Sequence, residues 1–414
     1  MKLWAKILIG LFLGIVIGNL FPDFSMSLKP IGQLFIRAIK MLIVPLIFSS
    51  LLVGVAGMKD PKKMGRVGLK TFCLYLATTA VSITIGLTIG TLLEPGKGVS
   101  LNAASSISQT KDAPSFVETL LNTVPENPVS ALSEGNVLQI IVFAIILGIS
   151  LVLSGKPGEP VIKVVNGIAE AMYKMTAMVM ELAPYGVFAL MATVAAEYGL
   201  EIILPLVKVL FGVYLGCIIH ALVTLGGSVT LIARLNPVTF FKGIVDALAV
   251  AYTTASSSGT LPITIRCARQ NLGVSNSISS FVLPLGATIN MDGTAMYQGV
   301  AALFIAQAYG IDLTFGHYVT IILTSTLASI GSAGVPGAGL IMLTLVLNSV
   351  GLPIEGIAII AGIDRILDMA RTTVNVVGDC AVTLLVAKSE GELDEKTYNT
   401  PRNLESPDFA KLNT

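Results

Sequence analysis

The sequence predicts an all-α integral membrane protein, and three observations lead to that prediction. Of the 414 residues, 54% are hydrophobic and 12% are charged, and the mean hydropathy is +0.82. Soluble domains carry about 25% charged residues, roughly twice as many. Apolar runs long enough to cross a bilayer, about 20 residues, recur along most of the chain. In the C-terminal half, paired apolar runs are interrupted by short stretches of small and polar residues.

Charge and cysteine usage argue against several partners and chemistries. The formal net charge is +1, and no basic tract points to nucleic acid. The four cysteines, Cys73, Cys217, Cys267 and Cys380, lie far apart, without metal-ligand spacing and mostly in apolar surroundings. They are predicted to be buried thiols rather than a disulfide framework.

The N-terminal part is predicted to be a series of ordinary membrane spans. They lie at about 4–21, 30–57, 68–93, 135–154, 165–195 and 200–234. The first has the basic start and apolar centre of a signal peptide, but it lacks a small-residue cleavage site, so we expect a retained helix. The basic segment "KDPKKMGR" after the second span is predicted to face the cytoplasm, as is the N-terminus, and the proline-containing segment 94–134 to lie outside.

The C-terminal half is predicted to contain broken helices. Residues 237–270 are apolar, interrupted by "SSSG", and basic at both ends, so they predict a hairpin that enters and leaves on the cytoplasmic side. The span at 276–309 holds "NMDGT" near its middle, and 317–350 repeats the hairpin pattern without basic flanks. Two interruptions in corresponding positions are typical of inverted repeats with a binding site at the midplane. The alternative is that these glycines and prolines only kink the helices.

The last span, about 354–388, contains "DRILDMARTTVNVVGD", with five charged side chains. Each charge at the bilayer centre costs about 2.5–3.5 kcal/mol on insertion scales. At about 100° per residue, the polar side chains fall within roughly 80° of one another; they are Asp364, Asp368, Arg371, Asn375 and Asp379. The planar guanidinium suits a carboxylate, and a nearby aspartate can hold an ammonium group. The alternative is a structural ion-pair seam to a neighbouring helix.

Four motifs closely resemble those of the glutamate/aspartate transporter family, the dicarboxylate/amino acid:cation symporters. They are "SSSGTLP", "LPLGATINMDGTAMYQG", "ASIGSAGVPGAG" and "DMARTTVNVVGD", in that order. The resemblance implies a homotrimer in the cell (inner) membrane, surrounded by lipid, with eight transmembrane helices, two re-entrant hairpins and an elevator mechanism. It implies scaffold segments 1–66 and 94–199, the latter including an extracellular loop, transport segments 67–93 and 200–390, and a cytoplasmic tail at 391–414.

The same resemblance implies the substrate site. Its residues would be Arg371, Asp368, Asn375, Thr372, Thr294, Ser257, Val335 and Gly339. Arg371 would bind the side-chain carboxylate of an acidic amino acid, and Asp368 its amino group. Asn375 and the main chain near Ser257 would hold the α-carboxylate.

Three sodium sites are also implied by the resemblance. The first consists of Asp379, Asn375, Asn290 and the Gly286 carbonyl; the second of Asp292, Thr78 and Thr79, with Tyr75 nearby; the third of carbonyls around Ser329, Ile330 and Ser332. These hard oxygen ligands suit a hard cation rather than a transition metal. The alternative for Asp292 is a satisfied polar cap at a helix break.

Two positions depart from the family pattern. Relatives carry an arginine at the position of Ala255 or of Met369, and Arg365 either replaces it or pairs with Asp364. Where animal members have a proton-carrying glutamate this chain has Gln298, which weakens the case for proton coupling there.

The sequence therefore predicts sodium-coupled symport of glutamate or aspartate, with more than one sodium ion per substrate, and no enzymatic activity. Neither the serines nor the aspartates match the GxSG or GxGD motifs of intramembrane proteases. Arg371 in the polar stripe argues against an ion channel, because a positive charge there opposes the passage of cations but suits a carboxylate ligand. A proton-coupled symporter and a C4-dicarboxylate transporter remain as alternatives.

Overall fold

The structure is a computed structural model that describes residues 3–56, 61–99, 121, 124–331, 334 and 336–400. The N-terminal half consists of α1 (Leu3–Leu20), α2 (Pro22–Ser27), α3 (Lys29–Ala56), α4 (Pro61–Leu93), α5 (Pro128–Glu134), α6 (Val137–Leu153), α7 (Glu159–Glu181) and α8 (Ala183–Tyr198). A 3-10 turn, Gly199–Ile202, then leads into α9 (Ile203–Ile219), a π-helical turn (His220–Leu225) and α10 (Gly226–Leu231).

The C-terminal half contains the broken helices. It consists of α11 (Pro237–Thr254), α12 (Ser257–Gln270), α13 (Asn276–Ile289), α14 (Asp292–Ala308), α15 (Phe315–Gly331) and α16 (Ala338–Ser349). A 3-10 turn, Ile354–Gly356, precedes α17 (Ile357–Ala361), α18 (Asp364–Ser389) and α19 (Glu395–Asn399). The chain therefore breaks within each segment where an interruption was predicted.

Local chemistry explains two of these breaks. Between α11 and α12, Ala255 adopts a left-handed φ of 52°, and the Ser256 hydroxyl accepts a hydrogen bond from the Gly259 N–H, which caps α12. Between α13 and α14, Asn290 and Met291 leave the helical conformation, and Asp292 begins the next helix. Each break leaves main-chain groups free to face a neighbour inside the protein, where non-helical backbone is tolerated at membrane depth.

One predicted span is wrong in its continuity. Residues 165–195 were expected to form one helix, but the structure ends α7 at Glu181 and begins α8 at Ala183. Pro184 stands in the first turn of α8, where a proline is tolerated because that N–H has no helical partner.

Small residues bring α1 and α8 into close contact. Gly10, Gly14 and Gly18 are spaced four residues apart, and a Cβ atom at any of them would overlap a main-chain carbonyl of α8. Such stripes of small residues let helices approach closely in membranes.

Three helical segments of the described chain are long and apolar enough to cross a membrane: Gly65–Leu93, Ile203–Leu231 and Asp364–Ser389. Of these, α18 is the most enclosed, since 89% of its most apolar window is buried. The helix with the most charge in its interior thus lies at the centre of the molecule. The count of eight transmembrane helices and the re-entrant geometry of the hairpins stay predictions.

Candidate substrate and cation sites

All the charged side chains of α18 between Asp364 and Asp379 are buried. Asp364, Arg365, Asp368 and Asp379 are between 2% and 8% exposed, and Arg371 is 0% exposed. Burying an unpaired charge costs roughly several kcal/mol. The partners of each charged side chain therefore indicate whether that side chain is structural or is available to a ligand.

Arg371 is paired with carboxylates of its own helix. Its Nη1 donates to Asp364 Oδ1 at 2.8 Å, and its Nη2 lies 3.0 Å from Asp368 Oδ1. These pairs are within α18, so the predicted alternative of a seam to a neighbouring helix does not describe Arg371.

The Nε and Nη2 edge of the Arg371 guanidinium makes no hydrogen bond among the described residues. Nε has no hydrogen-bond partner among the described residues, and Nη2 has none there beyond its ion pair with Asp368. The guanidinium carbon lies 4.2 Å from the centre of the Tyr297 ring, and a Cβ at Gly339 would lie 2.8 Å from it. The aromatic ring and the glycine hold the guanidinium plane in place while Nε–H and Nη2–H form the two-donor edge that suits a carboxylate.

Asp368 connects Arg371 to the second hairpin. Its Oδ2 accepts a hydrogen bond from the Gly337 N–H at 3.0 Å, and its Oδ1 lies 3.5 Å from the Thr372 hydroxyl. A cleft opens beside this group. It is lined by Asp364, Arg365, Asp368, Gly337 and Leu340 and by apolar residues of other helices, namely Ile7, Phe35, Ala183, Val187 and Ala361.

The two hairpin tips touch at Gly334. Its carbonyl accepts hydrogen bonds from the Ser256 hydroxyl at 2.8 Å and from the Ser258 N–H at 3.1 Å. Ser257 lies between these two residues, 3% exposed, at the start of α12. The N-terminus of a helix favours an anion, because its first N–H groups point outward.

Two further predicted substrate residues lie at the break between α13 and α14. Asn375 Oδ1 accepts a hydrogen bond from the Gly293 N–H at 2.8 Å, and Thr294 follows in the first turn of α14, 5% exposed. The break between α13 and α14 therefore contacts α18 at Asn375, one turn beyond Arg371. Val335, the remaining predicted substrate residue, lies outside the described residues.

The first predicted cation group is centred on Asp379. Its Oδ1 accepts from the Asn290 amide at 3.0 Å, and the same amide reaches the Asn375 carbonyl at 3.1 Å. Gly286 packs so closely that a Cβ there would overlap both Asp379 and the Tyr75 hydroxyl. Asn290 Oδ1 has no hydrogen-bond donor among the described residues. Amide and carboxylate oxygens thus converge here without a positive side chain in the described part of the chain.

The second predicted group is centred on Asp292, which is 0% exposed. Its Oδ1 accepts from the Thr79 hydroxyl at 2.7 Å and lies 3.3 Å from the Thr78 hydroxyl. Its Oδ2 lies 3.0 Å from His220 Nε2. Asp292 is therefore hydrogen-bonded, but only to neutral groups and to one imidazole.

Tyr75 lies between the two groups. Its main-chain carbonyl accepts from the Thr78 hydroxyl at 3.1 Å, whereas its own hydroxyl donates to the Val282 carbonyl at 3.2 Å, beside Gly286. Of the third predicted group, Ser329 and Ile330 are each 2% exposed, and the Ser329 hydroxyl donates to the Thr326 carbonyl at 2.9 Å. Ser332 lies outside the described residues.

The chemistry of these donors favours an alkali cation. In the described ranges no three His, Cys, Asp or Glu side chains come together as a possible metal group. The available ligands are carboxylate, amide, hydroxyl and main-chain oxygens, which suit hard cations.

Three residues of the site were not predicted as ligands from the sequence. Tyr297 and His220 stand in apolar runs, and nothing in the sequence shows that the first faces Arg371 and the second Asp292. The third residue is Arg365, whose Nη2 donates to the Thr254 carbonyl at 3.3 Å, at the C-terminal end of α11. The suggested pair of Arg365 with Asp364 is replaced by Arg371–Asp364 and by this link to the first hairpin.

Comparison with known proteins places this geometry among transporters. Residues 3–389 match the model described as "Sodium:dicarboxylate symporter family". The chain is 40% identical over 402 residues to the "Proton/sodium-glutamate symport protein" of Geobacillus stearothermophilus, covering 94% of this chain and 95% of that protein. It is 40% identical over 410 residues to the "Proton/glutamate-aspartate symporter" of Escherichia coli K12, covering 94% and 93%. The "C4-dicarboxylate transport protein" of Laribacter hongkongensis is 35% identical over 401 residues, covering 95% and 90%.

Proposed function

Because this chain belongs to the sodium:dicarboxylate symporter family, we propose that it carries glutamate or aspartate into the cell together with sodium ions. Family membership makes it a cation-coupled symporter of a membrane, and not an enzyme. The choice of an acidic amino acid and of sodium is the finer part of the proposal, and it rests on the side chains of α18 and their neighbours.

The free edge of Arg371 is the observation that carries the proposal. Its Nε has no partner among the described residues, and the adjacent Nη2 has only its ion pair with Asp368, so this fully buried edge is suited to a carboxylate in a dry pocket. Asp368 lies 3.0 Å from the same guanidinium, and its carboxylate can accept an ammonium group. Asn375 and the main chain near Ser257 would hold the second carboxylate, so each charged part of an acidic amino acid would have one partner.

A C4-dicarboxylate is the second candidate, because the Laribacter relative is named for it. Such a substrate has two carboxylates and no ammonium. Asp368 would then face a carboxylate of the substrate, and placing two like charges in contact costs roughly several kcal/mol. The acidic amino acid is therefore favoured by one buried carboxylate.

Sodium is proposed as the coupling ion because Asp379 and Asp292 are two buried carboxylates, and neither is paired with a lysine or arginine among the described residues. A tenfold gradient supplies about 1.4 kcal/mol per ion. Each net positive charge moved inward adds about 2.3 kcal/mol per 100 mV. One sodium ion with a monoanionic substrate is electroneutral, so we propose electrogenic transport with more than one ion. Relatives are named for both protons and sodium, so a proton is the alternative ion.

Transport is proposed to occur by the elevator mechanism of a homotrimer in the cell membrane, with the N-terminus and the C-terminal tail in the cytoplasm. Residues 67–93 and 200–390 would move past the scaffold segments 1–66 and 94–199. The cleft beside Arg365 and Asp368 supports this division, because its other wall includes residues of α1, α3 and α8. The second hairpin would close over the substrate once a cation binds at its tip near Ser329.

Uptake into proteoliposomes tests the proposal. Radiolabelled glutamate, aspartate and succinate are offered under separate inward gradients of sodium and of protons, with and without an inside-negative potential. We expect amino acid uptake that is sigmoidal in sodium and faster with the potential. Uptake driven by a proton gradient alone would replace sodium by protons, and preference for succinate would favour the second candidate.

A further inference from the structure

His220 is a buried polar residue that neither the sequence motifs nor the family match assigns to the site. Its side chain is 0% exposed, and its Nε2 lies 3.0 Å from Asp292 Oδ2. Its Nδ1 is buried without a hydrogen-bond partner among the described residues. Because a carboxylate oxygen accepts hydrogen bonds, this contact is satisfied when Nε2 carries a proton and donates it to Asp292.

The backbone is irregular where this histidine stands. The helix from Ile203 to Leu231 changes from α-helical to π-helical at His220 and returns to α-helical at Gly226. A π turn within an α-helix is rare and frequently occurs at functional sites. The irregular turn and the buried imidazole are independent observations, and both fall at the same residue.

We propose that His220 is a positioning residue of the deeper cation site, which binds no ion itself and fixes the carboxylate that does. This inference rests on the proposed function, in which Asp292 is a sodium ligand. By holding Oδ2, the imidazole N–H directs Oδ1 toward the hydroxyls of Thr79 and Thr78, at 2.7 and 3.3 Å. The oxygens that would receive the ion are therefore gathered on one side of the carboxylate.

Neighbouring groups show why a hydrogen-bond donor is needed at this position. On α18, a Cβ at Gly378 would lie 3.0 Å from Asp292 Oδ2, so main chain rather than a polar side chain packs there. Without the imidazole, Oδ2 would be left as an unpaired buried oxygen, or the carboxylate would turn to find another donor. Outer-sphere partners of ligands commonly affect metal affinity by about 10–100-fold.

The test compares substitutions that keep or remove the donor. His220→Gln places an amide N–H near the position of Nε2, whereas His220→Leu keeps the approximate volume without a donor. Calorimetric titration of the purified protein with glutamate or aspartate, at a series of sodium concentrations, gives the sodium dependence of binding. Tyr214→Phe is the matched control, because it removes a hydrogen bond from the same helix, to the Ile366 carbonyl at 3.0 Å, away from Asp292.

We expect His220→Leu to raise the sodium concentration for half-maximal binding by about tenfold or more. At saturating sodium its amino acid affinity should stay within about twofold of the parent, since an outer partner of the ion does not touch the substrate. His220→Gln should recover most of the sodium affinity, and Tyr214→Phe should leave it unchanged.

A purely structural role predicts a different pattern. His220→Leu would then lower amino acid affinity equally at all sodium concentrations, with no recovery by His220→Gln, and this would overturn the inference. If His220→Leu does not fold, His220→Gln and His220→Asn decide the matter, because only glutamine extends far enough to replace Nε2. Equal sodium affinity of these two variants would also overturn it. Sodium-independent binding by the parent would instead contradict the proposed function, before any variant is compared.

Discussion

Arg371 and Asp379 stand on the same helix, separated by eight residues and about 12 Å of rise, and their surroundings differ in charge. Arg371 lies between two carboxylates of α18, Asp364 and Asp368, at 2.8 and 3.0 Å. Asp379 accepts from the Asn290 amide, and the nearby Asp292 accepts from hydroxyls and one imidazole. Both regions are buried, but among the described residues an arginine is paired with carboxylates in the first region and not in the second.

Under the proposed function, this difference means that α18 would take part in binding two kinds of ligand. At Arg371 the protein supplies both signs of charge, so a zwitterionic substrate would exchange partners with groups that are already in place. At Asp379 and the neighbouring Asp292 the protein supplies carboxylates and neutral donors, so the positive charge would come from a bound cation. The predictions below test this contrast, beginning with the largest expected effect.

Arg371→Gln should cause the largest loss. Removing one partner of a buried charge pair costs about 2–5 kcal/mol, so affinity for an acidic amino acid should fall by roughly 30-fold to more than 1,000-fold. Uptake and calorimetric binding measure it. Arg371→Lys is the matched control for folding: it keeps the charge between Asp364 and Asp368 but lacks the two-donor edge, so it should fold and still bind poorly. Near-parent affinity in the lysine variant would show that the edge is not the binding feature.

Asp379→Asn should weaken the response to sodium and stabilise the sodium-free protein. It removes a buried carboxylate that has no positive partner among the described residues, so the melting temperature in sodium-free buffer should rise. The sodium requirement for uptake should increase by about tenfold or more, with a lower sodium order. Differential scanning fluorimetry with and without sodium measures the first effect. Destabilisation in sodium-free buffer would remove the contrast between the two regions.

Asp368→Asn should separate the two candidate substrates. A hydrogen bond to a charged group contributes about 1.5–3 kcal/mol, so glutamate or aspartate affinity should fall by about 10- to 150-fold. A dicarboxylate without an amino group should bind as well as before, or better, because the negative charge facing it is gone. Competition by aspartate and succinate against a common labelled substrate gives both affinities. Equal losses for both would indicate that Asp368 only supports Arg371.

In both regions the sequence predicts which residues of α18 are buried, but not which residues of other helices they contact. The family, read from four motifs, is confirmed, and the interruptions of the broken helices lie in the predicted segments. A polar stripe gives the angular positions of residues on one helix, so the burial of Arg371 and Asp379 followed from it. Which donors meet them depends on packing between helices. The contacts of Tyr297 with Arg371 and of His220 with Asp292 therefore appear only in three dimensions.

Gly334→Ala should weaken binding through the contact between the hairpin tips. A Cβ there would lie 2.5 Å from the Ala287 carbonyl oxygen and 2.8 Å from the Ser258 hydroxyl. Overpacking of this kind costs about 1–3 kcal/mol. If the substrate-bound state is destabilised by about 1 kcal/mol, the lower end of that range, substrate affinity falls about fivefold. Gly227→Ala is the control, since a Cβ on that helical glycine would meet no atom within 4 Å. Unchanged affinity would mean that the tips need not meet when substrate binds.

Glu390 extends the comparison to the end of the helix: it stands one residue beyond α18 and pairs with Arg66 and Lys70, whose side chains are 74% and 41% exposed. Hydrogen bonds from Lys70 and then Arg66 lower the pKa of its carboxyl below the ordinary value. A lowered pKa means that the stabilisation is present above the ordinary pKa of glutamate, about 4.3, and is lost as the pH falls through the lowered value.

Glu390→Gln should therefore have the smallest effect of the series. Ion pairs with exposed basic side chains are screened by salt and contribute little, so uptake at neutral pH should stay within about twofold of the parent. Melting curves should show a slightly lower stability of the variant at pH 7, with the difference closing as the pH falls through the lowered pKa and also at high salt. A loss of uptake comparable to that of Asp368→Asn would show that charge at the end of α18 is needed for transport. In that case the contrast along this helix would not be one between buried and hydrated charge.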